Sequence, residues 1–318
     1  MITMNMVFLF GAPRSGTTWA QLLLSRHPEI GTVNETHLFS SYLRSASASW
    51  WALQQAERSI GLHHHMSAVE YREILRDTAR QILCRLAKQA GAPAIFLEKT
   101  PAHVRCWRDI ADIFPSARFV RLVRDPRAVV ASLCRAGAGW GRRWAHRGVI
   151  ANASRWRSDV EQGLQAESEL SEARCRRLNY EDLWANPVET LRSLFAWLDL
   201  PVETKALQVY VQSCRQPQAL QQDNPGAGMW DLASEPKGFF GKGGVDGWRR
   251  QLSTRQIRVV EYIAGELMDR FDYQCLSQAR SVPLAIRVSK CIGLGGVDGQ
   301  EDSTCALMGI GRARLISG

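Results

Sequence analysis

Residues 7–19 read VFLFGAPRSGTTW, an apolar run, then a turn bounded by Gly11 and Gly16, then the first residues of a helical pattern. Together with Thr18, the two glycines have the spacing G-x-x-x-x-G-x-[ST] of a phosphate-binding loop. In such a loop, backbone N–H groups and a helix N-terminus face a phosphate. Residues 7–19 therefore predict a strand, an anion-binding loop and a helix, the first unit of an α/β fold.

The loop lacks the lysine that a nucleoside triphosphatase carries, because Thr17 occupies that position. The lysine reaches the β- and γ-phosphates, and a hydroxyl group cannot replace its charge. Arg14, inside the loop, can supply charge through a planar guanidinium that matches tetrahedral oxyanions. The loop thus indicates an anion that resembles a nucleotide phosphate without being a triphosphate. Taken alone, the same residues also fit an ordinary turn between a strand and a helix.

The composition is that of a globular protein, with 318 residues, of which 45% are hydrophobic and 22% charged. No apolar run is long enough to span a membrane, and residues 1–10 do not form a signal peptide. We therefore expect a soluble, cytoplasmic chain without a membrane partner. The eight cysteines are scattered and never form C-x-x-C, so neither a zinc site nor a dithiol redox motif is indicated.

The net charge of +9 is concentrated in one segment. Residues 118–157 contain ten arginines and no lysine, against a single acid, Asp125. Trp140, Trp144 and Trp156 alternate with these arginines. Such a block suits a polyanionic small ligand, a membrane surface or a nucleic acid, whose bases could stack on the tryptophans. The charge alone leaves these alternatives open.

Strand and helix patterns alternate along the chain. We predict strands at 94–98, 118–123 and 176–179, and helices at 102–114, 127–134, 187–198 and 254–271. Residues 28–36 are polar and predict a loop, and Asn186 predicts a side-chain cap for the helix at 187–198. The alternation implies a parallel sheet whose ligands bind beyond the carboxyl ends of its strands.

The predicted fold class is therefore α/β, a P-loop-like three-layer α/β/α architecture with a central parallel sheet and helical insertions. We predict one domain over residues 1–277, with a helical insertion at 38–92 that shapes part of the ligand site, as do the aromatic residues and arginines of 135–156. Residues 278–318 have weak apolar runs interrupted by glycines and predict a poorly packed tail. The adjacent histidines at 63–65 cannot all face one metal ion and predict a solvated loop.

Four motifs follow one another in the order that the fold requires. They are G-x-P-R-S-G-T-T at 11–18, E-T-H-L-F at 35–39, E-K-T-P at 98–101 and R-D-P-R-x-x-x-x-S at 124–132. This combination resembles the sulfotransferases that use 3'-phosphoadenosine 5'-phosphosulfate (PAPS), in the branch of the heparan sulfate and tyrosylprotein enzymes and many bacterial ones. The resemblance spans about residues 5–275.

The resemblance implies transfer of the sulfuryl group of PAPS to a hydroxyl of a small-molecule or carbohydrate acceptor, without a metal ion. It also accounts for the missing lysine, since PAPS has a 5'-phosphosulfate and no γ-phosphate. The loop for this group would comprise Arg14, Ser15, Gly16, Thr17 and Thr18, and Arg14 would also stabilise the leaving group. The resemblance assigns three further roles: Glu35 as the general base, His37 as a substrate-side donor or orienter, and Lys99 as a charge facing the sulfuryl group.

The resemblance also predicts the remainder of the nucleotide site. Arg124 and Ser132 would hold the 3'-phosphate, next to a helix that Asp125 caps and Pro126 begins. Tyr180 would lie near the adenine, although simple core packing explains this tyrosine nearly as well. A late segment resembles the family motif K-G-x-x-G-D-W with its Gly-Asp order inverted, and assigns Lys242, Gly243 and Trp248 to the 3'-phosphate side.

Two other functions compete with this interpretation. A small-molecule kinase with a degenerate loop would bind ATP with magnesium, and the absent lysine argues against it. A nucleic-acid-binding module would use the block of arginines and tryptophans at 118–157, with salt-sensitive affinity that does not depend on Arg14 or Arg124.

Overall fold

The computed structural model describes residues 5–56, 60–91, 94–145, 147–214, 236, 239 and 244–276. In this part of the chain, five parallel strands form a sheet with the order β2-β3-β1-β4-β5. The strands are β1 (Asn5–Gly11), β2 (Ile30–Thr32), β3 (Ile95–Lys99), β4 (Arg118–Val123) and β5 (Cys175–Asn179). The predicted fold class, with its central parallel sheet, is confirmed.

Helices cover the sheet on both faces. Those in the described ranges are α1 (Thr17–Leu24), α2 (Arg44–Gln55), α3 (Ala68–Gln89), α4 (Trp107–Ile113), α5 (Pro126–Gly137), α6 (Arg142–Ala145), α7 (Gly148–Glu169), α8 (Tyr180–Ala185), α9 (Pro187–Trp197), α10 (Thr204–Cys214) and α11 (Thr254–Arg270). None of these helices combines the length and the apolar composition that crossing a bilayer would require.

The sheet separates two hydrophobic cores, because successive side chains of a strand point to opposite faces. In β1, Val7 and Leu9 pack into a core with residues of α1, α9 and α10. Met6, Phe8 and Phe10 pack into the other core, which contains residues of α3 and α4. This double burial explains why β1 reads as a continuous apolar run, and it places β1 at the centre of the sheet.

Two local predictions differ from the structure. Residues 28–36 were predicted as a loop, but Ile30–Thr32 form an edge strand of three residues beside β3. So short a strand, with a glycine in the middle, leaves almost no pattern in the sequence. Asn186 precedes α9, but its side chain makes no capping hydrogen bond there.

The helix predicted at 102–114 is divided. Residues Pro101–Arg105 form a short 3-10 segment, and α4 begins only at Trp107. The predicted insertion contains a π-helical segment at Leu38–Leu43, followed by α2 and α3. Its role in shaping a ligand site stays a prediction, as does the domain boundary at 277. The predicted tail at 278–318 lies outside the described residues.

Candidate active site

Ser15 closes the turn that follows β1. Its backbone N–H and its hydroxyl both donate to the carbonyl oxygen of Ala12, at 3.1 and 2.5 Å. Both donors of Ser15 are therefore used inside the turn, and its side chain is buried. In this structure Ser15 shapes the loop, while its neighbours Arg14 and Gly16 line the cleft beside it.

Gly16 is required for two reasons. Its φ of 107° lies in the region that favours glycine. A Cβ atom at this position would lie only 2.5 Å from Cδ2 of Tyr180. The same close approach brings Tyr180, which was predicted near the adenine, directly against the phosphate-binding loop.

The helix α1 starts at Thr17 without a side-chain cap. Gly16 occupies the N-cap position and has no side chain to accept from the first helical turn. The N–H groups of that turn have no acceptor within the helix, and they carry the positive end of its dipole. Thr17 and Thr18 both line the cleft. The start of α1 can therefore bind an anion, as the loop motif predicts.

Lys99 brings positive charge to this loop from the neighbouring strand. It is the last residue of β3, which pairs with β1, and its side chain is 3% exposed. Its Nζ lies 2.5 Å from Oε1 of Glu35 and 3.4 Å from Oγ1 of Thr18. One ammonium group therefore joins the loop hydroxyl to the carboxylate that the resemblance assigns as the base.

The ion pair changes the acidity of Glu35. Burial raises the pKa of this carboxyl, but the Lys99 charge and the hydrogen bonds from His37 and Lys99 outweigh burial, and the pKa falls to about 2. Nε2 of His37 lies 3.3 Å from Oε2 of Glu35. That hydrogen bond raises the pKa of His37 despite the opposing effect of burial. Glu35 is therefore ionised at neutral pH.

Arg124 stands after the carboxyl end of β4. Its Nη2 donates to the carbonyl oxygen of Gly244 at 2.8 Å, and its Cζ lies 3.8 Å from the centroid of the Tyr180 ring. Its Nη1 donates to the carbonyl oxygen of Arg14 at 3.4 Å. Nε of Arg124 is buried and has no hydrogen-bond partner within the described residues. A buried donor without a partner beside a cleft suits an anionic ligand.

Ser132, on α5, brings two arginines together. Its Oγ accepts from Nε of Arg14 at 3.2 Å and from Nη2 of Arg135 at 3.4 Å. Nη2 of Arg14 also donates to the carbonyl oxygen of Phe239 at 2.6 Å. Arg14 thus connects the loop with the predicted 3'-phosphate side. Arg135 was not predicted as a site residue, and its only signal in the sequence is its place in the arginine block.

Buried contacts set the direction of Arg124. Asp125 caps α5 by accepting from the backbone N–H of Arg127 at 2.8 Å, and Pro126 begins this helix. On the other side, Nε1 of Trp156 donates to the carbonyl oxygen of Arg124 at 3.0 Å. The turn after β4 is therefore fixed by two contacts, the cap of α5 and the hydrogen bond from the buried Trp156.

Three aromatic side chains form one wall of the cleft. The ring of Trp19 lies 5.6 Å from that of Tyr180 and 5.7 Å from that of Trp184, measured between centroids. Aromatic faces of this kind suit a planar heterocycle. Trp19 and Trp184 were not predicted, although Trp184 is four residues after Tyr180 on α8 and so lies on the same helix face.

The late glycine-rich motif is only partly described. Trp248 lines the cleft and is 2% exposed, and Cζ of Arg127 lies 4.2 Å from its ring centroid. Trp248 therefore packs between the cleft and the turn after β4. The predicted site residues Lys242 and Gly243 lie outside the described residues.

One cleft of about 1170 Å³ unites these groups. The predicted residues that line it are Arg14, Gly16, Thr17, Thr18, Glu35, His37, Arg124, Ser132, Tyr180 and Trp248. Lys99 reaches its edge through Thr18 and Glu35. Other cations and aromatic rings add to the lining. Arg135, Trp140, Trp144 and Arg155 belong to the segment 135–156 that was predicted to shape the ligand site, whereas Trp19, Trp184, Phe239 and Arg250 were not predicted. Among the described residues, Glu35 is the only carboxylate in this lining.

The arginine block is divided between the fold and the cleft. Five of its arginines form ion pairs with carboxylates, namely Arg118, Arg121, Arg127, Arg155 and Arg157. Trp156 is fully buried and cannot stack on a base, whereas Trp140 and Trp144 face the cleft. The block therefore does not form the continuous outer surface that the nucleic-acid alternative requires.

The described ranges contain no group of three or more His, Cys, Asp or Glu side chains placed to hold a metal ion. Two of the adjacent histidines, His63 and His64, belong to a short 3-10 segment at Leu62–His64. Their rings lie at an angle of 43° to each other, with centroids 4.2 Å apart.

The fold and the site define a P-loop-like α/β protein with a cleft that is lined by arginines and extends from the start of α1 to the start of α5. A family model described as the sulfotransferase family matches residues 6–204. The chain therefore belongs to the sulfotransferase family.

Relatives in animals are similar over part of their length. The protein-tyrosine sulfotransferase of Drosophila melanogaster is 28% identical over 204 residues, which are 62% of this chain and 38% of that protein. Protein-tyrosine sulfotransferase 1 of Danio rerio is 28% identical over 62% of this chain and 54% of its own length. The chain thus spans about half the length of these relatives, or less.

Solved structures share the fold. The sulfotransferase domain of the Synechococcus PCC 7002 olefin synthase is 20% identical, with a TM-score of 0.54 over 85% of this chain and 96% of that domain. A mouse sulfotransferase complexed with 3'-phosphoadenosine 5'-phosphate (PAP) is 14% identical, with a TM-score of 0.50 over 84% of this chain and 86% of that chain.

Proposed function

We propose that this chain transfers the sulfuryl group of PAPS to a hydroxyl of an acceptor, with Glu35 as the general base. The observation that carries the proposal is the position of Lys99, whose Nζ lies 2.5 Å from Oε1 of Glu35 and 3.4 Å from Oγ1 of Thr18. A base, a cation and the anion-binding end of α1 meet at this point. Sulfuryl transfer requires these three functions together.

The residues of the cleft fit PAPS. The uncapped start of α1, with Thr17 and Thr18, suits the 5'-phosphosulfate. Arg124, with its unpartnered Nε, and Ser132 suit the 3'-phosphate. The aromatic wall that includes Trp19 suits the adenine. A structure of the same fold contains PAP, which supports PAPS as the donor.

In the proposed reaction, the acceptor oxygen forms a bond to sulfur while the bond from sulfur to the bridging phosphate oxygen breaks. Glu35 takes the proton of the acceptor hydroxyl, and PAP leaves with the electron pair of the broken bond. Lys99 and Arg14 stabilise the negative charge on the leaving oxygen, so the proposed mechanism uses no metal ion. His37, which is half exposed beside Glu35, donates to the acceptor.

Lys99 has two successive roles in this mechanism. Before PAPS binds, Lys99 holds the pKa of Glu35 at about 2, where this carboxylate is a weak base. An anion bound at Thr18 competes for the ammonium group. The pKa of Glu35 then rises, so this residue becomes a stronger base when the donor is in place.

The acceptor binds in the part of the cleft that PAPS leaves open, and the lining available to it includes His37, Trp140 and Trp144. Aromatic walls of this kind suit small molecules and carbohydrates that carry a hydroxyl group. The animal relatives are protein-tyrosine sulfotransferases, so a phenolic hydroxyl belongs among the acceptors to be tested.

The test is transfer of labelled sulfate from PAPS to a panel of phenols, tyrosine peptides, carbohydrates and small alcohols. We expect Glu35→Ala to reduce transfer by at least about a hundredfold, while the affinity for PAP changes by less than about threefold. Glu73→Ala removes an exposed glutamate of α3 and serves as the matched control.

Two results would count against the proposal. A folded wild-type chain that binds neither PAPS nor PAP would exclude the donor. Equal losses of turnover and of PAP affinity in Glu35→Ala would show that Glu35 supports the cleft and does not act as a base.

A further inference from the structure

Glu98 is a buried carboxylate that the proposed reaction does not use. It precedes Lys99 in β3, its side chain is 1% exposed, and it does not line the cleft. Successive side chains of a strand point to opposite faces, so Glu98 and Lys99 extend in opposite directions. A buried charge is costly unless hydrogen bonds compensate it. The hydrogen-bond partners of Glu98 therefore indicate which part of the chain this carboxylate positions.

One oxygen of Glu98 holds the residue that follows the proposed base. Oε1 accepts from Oγ1 of Thr36 at 2.8 Å and from the backbone N–H of Thr36 at 3.4 Å. It also accepts from Oγ1 of Thr100 at 2.7 Å. Thr36 follows Glu35 directly, so Glu98 fixes the backbone on one side of Glu35.

The other oxygen of Glu98 holds a histidine in one tautomer. Oε2 lies 2.9 Å from Nδ1 of His103, which is fully buried. The backbone N–H of Phe39 donates to Nε2 of the same ring at 3.3 Å. Nε2 must then be the unprotonated nitrogen, and Nδ1 carries the proton that is donated to Glu98. A single neutral tautomer satisfies both contacts.

The loop between Glu35 and Phe39 is therefore anchored on the β3 side at several N–H groups. Oγ1 of Thr100 accepts from the backbone N–H of His37 at 3.4 Å. His37 has a φ of 50°, a left-handed conformation that costs a non-glycine residue about 1 kcal/mol or more. Such a conformation persists when the surroundings over-determine it, and this hydrogen-bond network does so.

We propose that Glu98 and His103 are positioning residues, which hold the loop carrying Glu35 against Lys99 through the Nδ1–H tautomer of His103. The proposal rests on the proposed role of Glu35 as the base. Glu98 and Lys99 are adjacent in β3, so the same strand fixes the cation on one face and anchors the base loop from the other. The distance between base and cation is thus set by one rigid element.

Glu98→Gln tests this arrangement with little change in size. The amide oxygen still accepts from Thr36 and Thr100, but the amide NH2 group faces Nδ1 of His103. His103 must then move its proton to Nε2, where it opposes the N–H of Phe39. We expect the loop to loosen, and Glu35 to move away from Lys99.

The tautomer of His103, the pKa of Glu35, the turnover and the affinity for PAP test this arrangement. In the wild type, 15N NMR of labelled histidine should show the Nδ1–H tautomer for His103. In Glu98→Gln, a carboxyl NMR titration should show a raised pKa for Glu35, because its contact with Lys99 weakens. Turnover with an acceptor found in the panel should fall by about tenfold to a hundredfold, while PAP affinity stays within about threefold of wild type.

Matched variants separate positioning from loss of stability. Glu261→Gln alters another buried carboxylate, on α11, and should lower stability without changing the pKa of Glu35. If Glu98→Gln does not fold, Thr36→Val removes one hydroxyl contact with Glu98 at nearly constant size. Like Glu98→Gln, it should raise the pKa of Glu35 and lower turnover.

Several outcomes would overturn the proposal. They are an Nε2–H tautomer in the wild type, an unchanged pKa of Glu35 in Glu98→Gln, and parallel losses of turnover and PAP affinity. A wild-type chain that transfers no sulfate to any acceptor or to water would instead refute the proposed function. In that case the tautomer and the pKa of Glu35 would still show whether Glu98 anchors the loop.

Discussion

At the scale of single residues, the source of positive charge is the main finding. Residues 11–18 have the spacing of a phosphate-binding loop but carry Thr17 instead of lysine, and a cation in addition to Arg14 comes from outside the loop. Lys99 extends from β3 and contacts the hydroxyl of Thr18, whereas Arg14 donates a hydrogen bond to Ser132 on α5. The charge that the loop lacks is thus provided by a neighbouring strand, next to the one carboxylate in the described lining of the cleft.

Removing the Lys99 charge should raise the pKa of Glu35. In Lys99→Met, burial still disfavours the carboxylate while its strongest opposing partner is gone, so the pKa should rise from about 2. A carboxyl NMR titration measures this shift. Lys88→Met, an exposed lysine of α3, is the control and should leave the pKa of Glu35 unchanged.

The same variant changes stability in a defined pH range. Because the pKa of Glu35 in the folded chain is lowered, Glu35 stabilises the fold above its ordinary pKa of 4.5 and loses this effect as the pH falls toward about 2. Lys99→Met should therefore lose more stability at pH 7 than at pH 2. Equal losses at both pH values would contradict the ion pair.

At the scale of elements, two junctions between a strand and a helix make the cleft. The first, from β1 to α1, depends on a backbone conformation that only glycine adopts without strain. The second, from β4 to α5, depends on Asp125, whose carboxylate both caps the helix and binds Arg127. The first junction leaves the uncapped start of α1 beside the cleft, where an anion would be stabilised. The second junction places Arg124 and Ser132 in the lining of the cleft.

Gly16→Ala should damage the first junction. The new methyl group would meet the ring of Tyr180 at 2.5 Å, so the loop or the ring must move. We expect PAP affinity to fall by about a hundredfold, from the loss of roughly 3 kcal/mol of binding free energy. Calorimetric titration of PAP measures this loss.

Gly91→Ala provides the control for this substitution. Gly91 also has a positive φ, of 62°, but nothing lies within 4 Å of an added Cβ. It should lower stability by about 1 kcal/mol and leave PAP affinity unchanged. If Gly16→Ala behaved in the same way, the contact with Tyr180 would have no part in binding.

Arg127→Met should damage the second junction. Arg127 binds Asp125 at 2.7 Å and Glu261 at 2.8 Å, and all three side chains are buried. Removing the arginine leaves two buried carboxylates without their cation, which should lower the free energy of unfolding by about 3 kcal/mol. Urea unfolding measures this loss. The exposed Arg142→Gln should change it by less than about 0.5 kcal/mol, and equal effects would contradict the network.

At the scale of the whole molecule, the strand order assembles the site. Because β1 lies between β3 and β4, the ends of these three strands meet at one edge of the sheet. The loop after β1 thus has Lys99 on one side and Arg124 on the other, although these residues are distant in the sequence. The arrangement gives the cleft two positively charged ends, which suits a ligand with two separated anionic groups.

This arrangement predicts a difference between two nucleotides. Arg124→Gln should weaken PAP, which has a 3'-phosphate, by about tenfold to a hundredfold through the loss of charge-assisted hydrogen bonds. Adenosine 5'-phosphate, which lacks that group, should lose much less affinity. Calorimetry with both ligands makes the comparison, with Arg143→Gln as an exposed control from the same arginine block. Equal losses for the two nucleotides would show that Arg124 only supports the fold.

The sequence alone predicts the fold class and ten of the residues that line the cleft. It could do so because apolar runs, glycine spacing and helix starts are local patterns, and because each of the four motifs is a short continuous stretch of the chain. It missed β2, which is too short to leave a pattern, and it missed Trp19 and Trp184, which reach the cleft only when their helices pack.

The interactions among these groups, in contrast, depend on the tertiary structure. The pKa of Glu35 depends on Lys99, which is 64 residues away and becomes its neighbour when β3 pairs with β2. The tautomer of His103 and the anchoring of residues 36–39 likewise depend on hydrogen bonds across more than sixty residues. These interactions depend on distances and burial in the folded chain. Contacts between distant segments set both, so local sequence patterns do not contain them.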